Sequence, residues 1–193
     1  VIIKKNTERS SRTRPGFRFA AFGLILAFCI YFTWSRDFGF IWNFGVSMEP
    51  TYQNNEFLVI QKRVGLGEDW TPSLFDCVII RDEQSNETLS KRVVALAGDT
   101  VEIKEGYVYV NEKKLKDPYG KGRIGIMLVD QDNEPLRYWE TGEWGNAGDP
   151  VIQFTNQKKI IVPEGHVWVI GDNRTESWFG ILPVGGIRGL VIF

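Results

Sequence analysis

The sequence predicts a mostly β protein: a β-rich core with an inserted irregular β lobe, preceded by one N-terminal transmembrane helix. Three observations predict it. Short runs rich in β-branched and aromatic residues recur between Gly, Pro, Asn and Asp turn signals. One stretch alone, Phe19 to Trp34, is uncharged and apolar all round. Residues 117–158 break the strand spacing with Gly, Pro and acidic residues, as an inserted lobe or extended hairpin would.

Residues 1–18 form a basic tail, with Lys4, Lys5, Arg9, Arg12, Arg14 and Arg18 against Glu8. Taking those 6 basic residues and 1 acidic residue from totals of 23 and 24 leaves 17 basic against 23 acidic downstream. A basic tail before an acidic body is not the basic folded face that nucleic acids require, so no nucleic-acid partner is expected. The segment "FAAFGLILAFCIYFTW" follows, and its 16 residues are near the short limit for a bilayer span. Arg18 and Arg36 can snorkel at its ends, and Tyr31 and Trp34 suit the interface. The bulky, charged "WSRDFGF" after it offers no small-x-small cleavage site, so residues 19–36 read as a retained anchor rather than a removable leader. The positive-inside rule then places the tail in the cytoplasm and residues 37–193 outside, with the lipid bilayer as a partner.

Beyond the anchor, Phe38, Phe40, Trp42 and Phe44 occupy every second position, the period of a strand with one aromatic face. That face lies either against lipid or in the β core; alternation does not choose. The opposite face carries Ile41, Asn43, Gly45 and, if the alternation persists, Ser47. Further strand-like runs are "EFLVIQK", "DCVIIRD", "LSKRVVAL", "TVEIKEGYVYV", "KKIIVPE" and "HVWVIGD". In "LSKRVVALAGD" the alternation puts Lys91 on one face with Leu89, Val93 and Ala95, and Arg92 on the other with Ser90 and Val94. A lysine among apolar neighbours either snorkels to water or loses its proton, because desolvation disfavours the ammonium.

Cysteine and histidine usage narrows the chemistry. Cys29 lies in the apolar span and Cys77 in a strand-like run, so no disulfide and no metal-ligand spacing is expected. His166 is the only histidine, which excludes a zinc site built on paired histidines and leaves a Ser-His-Asp triad only a strand-packed candidate. In "FGVSMEPTY", Gly45 permits close backbone approach, Pro50 ends the strand, and Ser47 sits between them. The coexistence of a strand-end serine and an apolar-faced lysine in a chain with one histidine suggests the Ser-Lys form of nucleophilic catalysis, which needs no cofactor. Lys91 would have to titrate near 7 rather than about 10.4, a burial cost of roughly 4 to 5 kcal/mol.

"GVSMEPTY", "LSKRVVALAGD" and "VPEGHVWVIGDNRTES" stand in this order behind a single span, and together resemble the type I signal peptidases in their single-anchor, Gram-positive form. The resemblance implies a membrane-bound serine endopeptidase acting on exported preproteins, with Ser47 as nucleophile and Lys91 as general base. It implies that Ser177 hydrogen-bonds the lysine and that Arg92 and Asp172, the latter in the turn Gly171 to Arg174, brace the site. It also implies an extended substrate beside Gly45, Met48, Leu89 and Ser90, with small residues preferred one and three positions before the cut. The family pattern continues after Ser177 with x-Asp-Ser-Arg; here Trp178, Phe179 and Gly180 follow at once, about three residues short, so a second brace is missing. The runner-up is a signal-peptidase-like assembly factor for pili or surface proteins that binds its client without cutting it.

Overall fold

Phe38 follows directly on the last residue of a helix, and from there the chain alternates extended runs with tight turns. The computed structural model describes residues 15–81, 87–127, 137–138, 144–145, 149–150 and 152–192. Helix α1 covers Pro15–Asp37 and a single turn, α2, Arg63–Leu66. The first strands are β1 Phe38–Asn43, β2 Glu56–Lys62, β3 Cys77–Arg81, β4 Thr88–Ala95, β5 Thr100–Lys104, β6 Tyr107–Val110, β7 Lys113–Lys114 and β8 Gly125–Met127. They are followed by β9 Arg137–Tyr138, β10 Trp144–Gly145, β11 Asp149–Pro150, β12 Ile152–Phe154, β13 Gln157–Ile161, β14 His166–Ile170, β15 Phe179–Pro183 and β16 Ile187–Val191. The fold is mostly β, as the alternating runs predict.

Seven strands form the main sheet in the order β1-β2-β16-β3-β4-β14-β15. Its two faces follow from period two in β3: Val78 and Ile80 pack with Val93, Val167, Val169 and Ile187, whereas Cys77 and Ile79 pack with Met48, Leu58, Ile60 and Val191. A second sheet, β13-β5-β6-β7, joins the first through Val101, Ile103 and Val108 against Val94, Trp168 and Ile170. Strands β15 and β16, absent from the runs picked out in the sequence, lie at an edge and in the middle of the main sheet.

Two alternation readings are corrected. On β4, Leu89 and Val93 pack on one cluster as expected, but Ala95 joins Val94 in another, because a register shift opposite Trp168 and Val169 inserts an extra residue and inverts the parity. On β1 the period ends at Asn43, and Ser47 lies in a turn instead of on a continued strand. The aromatic row does not fill the core: Phe40, Trp42 and Phe44 are 52%, 57% and 70% exposed.

Among the described residues, no helix is long and apolar enough to cross a membrane. The expected span over 19–36 corresponds to part of α1, whose large apolar side chains from Phe22 to Trp34 are exposed. Residues 1–14 of the basic tail lie outside the described residues. So does much of the expected lobe over 117–158, from which β8 pairs with β12, and β9 with β10 and β11.

Candidate active site

Gly45 turns the chain at the end of β1. Its φ of 87° is a left-handed conformation that strains any residue with a side chain, and its N–H donates to Asn54 Oδ1 at 2.9 Å. The turn that follows is closed by Glu49 N–H to the Val46 carbonyl at 3.1 Å and Tyr52 N–H to the Met48 carbonyl at 3.0 Å. Ser47 is thereby fixed by backbone bonds on a loop rather than by a strand.

A second loop clamps the first. Asn173 donates its N–H to the Ser47 carbonyl at 3.0 Å and its side-chain amide to the Val46 carbonyl at 3.2 Å. This loop begins where β14 ends, and Gly171 is its closest approach: a β-carbon there would overlap the Ser47 carbonyl oxygen and the Ser177 hydroxyl.

Lys91, on β4, reaches the serine from the sheet. Its Nζ lies 2.9 Å from Ser47 Oγ and 5.6 Å from the centre of the Trp178 ring, and the residue is 1% exposed. Burial pulls its pKa down from 10.5 to about 8, although Cys77 and Asp172 act in the opposite direction. A lysine in this state is unprotonated in about a tenth of molecules at pH 7, far more than a free lysine, and it lies within reach of a hydroxyl.

Arg92, the next residue, points to the other side of β4 and closes a buried pair with Asp172, Nε to Oδ1 at 3.0 Å and Nη2 to Oδ2 at 2.5 Å. Its Nη1 donates to the Phe75 carbonyl at 2.9 Å, and its guanidinium stacks on Tyr119 with 3.8 Å to the ring centre. Burial works against the arginine's charge, but the hydrogen bond and charge of Asp172 outweigh it and raise the pKa. The same turn carries Arg174, paired with Asp117, while Asp172 accepts the Lys121 N–H through its backbone carbonyl at 2.8 Å. The brace is thus a bidentate Arg92–Asp172 pair on one side of the loop and a single Arg174 Nη2–Asp117 Oδ2 contact on the other.

The remaining expected residues divide. Gly45 and Leu89 line a cavity of about 620 Å³ with Ile41, Trp42, Phe44, Glu87 and Thr88, between the end of β1 and the start of β4. Met48 does not line it: its side chain is wholly buried with Leu58, Ile60 and Cys77, because a long apolar chain on the inner side of the turn fills the core. Ser90 is also buried, and donates from Oγ to Asn43 Oδ1 at 2.6 Å, tying β4 to the end of β1. The expected hydrogen bond from Ser177 to Lys91 does not form. Ser177 Oγ instead accepts the Gly171 N–H at 2.7 Å and donates to the Trp178 carbonyl at 2.9 Å, since the shortened loop turns at once into β15. Asn43, Asp117 and Tyr119 were not singled out by sequence. Asn43 alone had a signal, a polar residue opposite an aromatic row. Among the described residues no cluster of three or more His, Cys, Asp or Glu side chains is placed to hold a metal ion.

Comparison with known proteins bears on the same residues. Residues 17–193 match the family described as signal peptidase, peptidase S26. The chain is similar to signal peptidase I U of Bacillus subtilis strain 168, 30% identical over 135 residues that cover 69% of this chain and 59% of that protein. It is 32% identical over 133 residues to signal peptidase I of Bacillus licheniformis, covering 69% of this chain and 60% of that one. The chain therefore spans about 60% of the length of these relatives. A signal peptidase I crystal structure from Enterococcus faecalis V583 superposes on 64% of the chain and 98% of its own length, at 20% identity and a TM-score of 0.37, a likeness too loose to bear on the fold. A family match that begins inside α1 and encloses Ser47, Lys91 and the turn at Gly171 to Arg174 is decisive, and the chain belongs to the signal peptidase S26 family.

Proposed function

We propose that the protein is a membrane-bound serine endopeptidase that cleaves N-terminal signal peptides from exported preproteins. The observation that carries this reading is the 2.9 Å approach of Lys91 Nζ to Ser47 Oγ with the lysine buried. Lys91 takes the hydroxyl proton as Ser47 Oγ attacks the scissile carbonyl. The backbone N–H of Ser47 is the first donor for the oxyanion. The proton passes to the leaving amine as the C–N bond breaks, leaving an acyl ester on Ser47; Lys91 then draws a proton from the water that hydrolyses it.

The substrate enters as an extended strand. At Arg92 and beyond, β4 is paired by β14, but from Thr88 to Ser90 its only described partner is β3. The open backbone edge faces the cavity at Gly45 and Leu89, which suits strand addition. The side chains of Met48 and Ser90 support this wall from within the core.

Helix α1 is the membrane anchor in this reading, with residues 1–18 in the cytoplasm, 19–36 in the bilayer and 37–193 outside the cell membrane. Phe22, Leu24, Ile25, Leu26, Phe28 and Phe32 are exposed on all sides of the helix, a state that lipid accommodates and water does not. The uncharged stretch falls short of the roughly 20 residues of a typical span, a deficit that a bilayer meets by local thinning. A non-cleaving assembly factor is not favoured, since it would have no use for a buried lysine held against a serine. Incubating the solubilised full chain with a preprotein and sequencing the new N-terminus tests the function: a single new terminus that disappears with Ser47→Ala and with Lys91→Ala is the expected result, and no cleavage by the parent chain refutes it.

A further inference from the structure

The helix and the sheet meet without a linker. Helix α1 ends at Asp37 and β1 begins at Phe38. Three contacts hold the joint. Lys62, at the end of β2, donates from Nζ to the carbonyl of Ser35 at 2.8 Å, satisfying one of the C-terminal carbonyls a helix leaves open. Gly65, in α2, packs so tightly on Asp37 that a β-carbon would lie 2.7 Å from Asp37 Cβ and 2.9 Å from its Cα and carbonyl oxygen. Trp34, one turn before the helix end, stacks on Phe38 and meets Phe40 at a tilt, with ring centres 5.7 and 5.3 Å apart.

The aromatic contacts continue toward the cleft. Phe40 stacks on Phe57 at 5.0 Å, Phe57 meets Trp42 edge-on at 5.3 Å, and Trp42 lines the cavity beside Gly45 and Leu89. An unbroken row of rings thus runs from the helix end to the cleft rim. A joint serving only to tether the domain would need none of this.

We propose that the α1–β1 joint is a fixed spacer that sets the height and tilt of the cleft above the bilayer, with Lys62 and Gly65 as its positioning residues, so that only a bond at a set distance from the membrane reaches Ser47. The proposal rests on the reading of α1 as the anchor and of the site as a peptidase. Its substrate is a chain that is itself held in the membrane by an apolar segment; for such a substrate, anchor and cleft must agree in height. A short soluble peptide carrying the same cleavage site is free to find the cleft whatever the joint does.

The test compares the full-length parent with Lys62→Met, which removes the donor and keeps the stem, and Gly65→Val, which wedges the joint open. All are reconstituted in vesicles. With a membrane-inserted preprotein, both variants should lose about tenfold or more in rate at the authentic bond and cut neighbouring bonds as well. With the soluble peptide they should match the parent, and Lys62→Arg, which restores a donor, should regain most of the loss. A structural readout stands apart from activity: spin labels on exposed Cys29 and on Ile161→Cys should give a narrow distance distribution in the parent and a broad one in Gly65→Val, with buried Cys77 left unlabelled. Equal losses on both substrates, no loss on either, or an already broad distribution in the parent would each overturn the spacer. Failure of the parent to cut either substrate would instead refute the peptidase reading, while the distance distributions still decide whether the joint is rigid.

Discussion

Gly171 sits against Ser47 with no room for a β-carbon between them: one built at position 171 would overlap the Ser47 carbonyl oxygen. The glycine is therefore part of how the serine is aimed. Asn173, two residues on, donates its N–H to that same carbonyl, so any outward movement at 171 also pulls on the bond that fixes Ser47.

Gly171→Ala should then lower kcat/KM by about 100-fold, the order of loss that a displacement of about 1 Å produces at a reacting atom. The fold should survive, because β14 and β15 pair on through Ile170 and Phe179. Steady-state kinetics beside a far-ultraviolet circular dichroism spectrum check both parts. Unchanged kinetics would show that the loop yields without moving the serine.

Ser177→Ala separates two ways in which this serine could matter. The structure gives its hydroxyl to the Gly171 N–H and the Trp178 carbonyl, not to Lys91. Removing it leaves a partly buried N–H unpaired, at a cost of about 1–3 kcal/mol in stability. It should reduce the rate by loosening Gly171 while leaving the apparent pKa of the pH–rate profile in place. A shifted apparent pKa would put Ser177 back on the lysine.

The pair of Arg92 with Asp172 is shut off from solvent, with side chains 4% and 0% exposed. Asp172→Ala leaves a buried guanidinium without its counter-ion and should destabilise the protein by about 3–5 kcal/mol in urea unfolding. Arg92→Met combined with Asp172→Leu should recover much of that loss, since neither charge remains to be desolvated. If the double variant is as unstable as the single one, the pair is holding the loop by geometry and not only by charge balance.

The sequence carried these parts unevenly. Strands β2, β3, β5 and β14 are legible as short runs rich in β-branched and aromatic residues bounded by turn residues, β5 alone alternating polar with apolar along its length. Where the period fails, the cause is backbone geometry: the left-handed Gly45 ends the alternation before Ser47, and the register shift on β4 separates Ala95 from Lys91. Strand order is another matter, since β16 slips between β2 and β3 from more than a hundred residues away and no local pattern announces it. Ser47 and Lys91 stood out by chemistry. The Ser90 bond to Asn43 joins residues 47 apart in sequence and becomes visible only when the sheet is assembled.

Lys91 offers the sharpest test, because its burial acts on both rate and stability. With the folded-state pKa at about 8, the rate should rise with pH through that value as the ammonium loses its proton. Lys91→Arg keeps its charge at any working pH and should be inactive. The stability sign follows from proton counting. The unfolded lysine titrates near 10.5 and the folded one near 8, so between these values the unfolded state binds more protons and stability rises with pH. Below pH 8 both states are protonated and the folded protein bears the full penalty, about 3 kcal/mol for a shift of this size. Lys91→Met has no such penalty: it should be more stable than the parent at pH 7 by up to that amount, and the gap should close as the pH approaches 10.5. Urea titrations of both proteins at pH 7, 9 and about 10.5 measure the gap directly. A parent as stable as Lys91→Met at pH 7 would mean that the ammonium is not desolvated, and the buried lysine would lose its claim to be the base that activates Ser47.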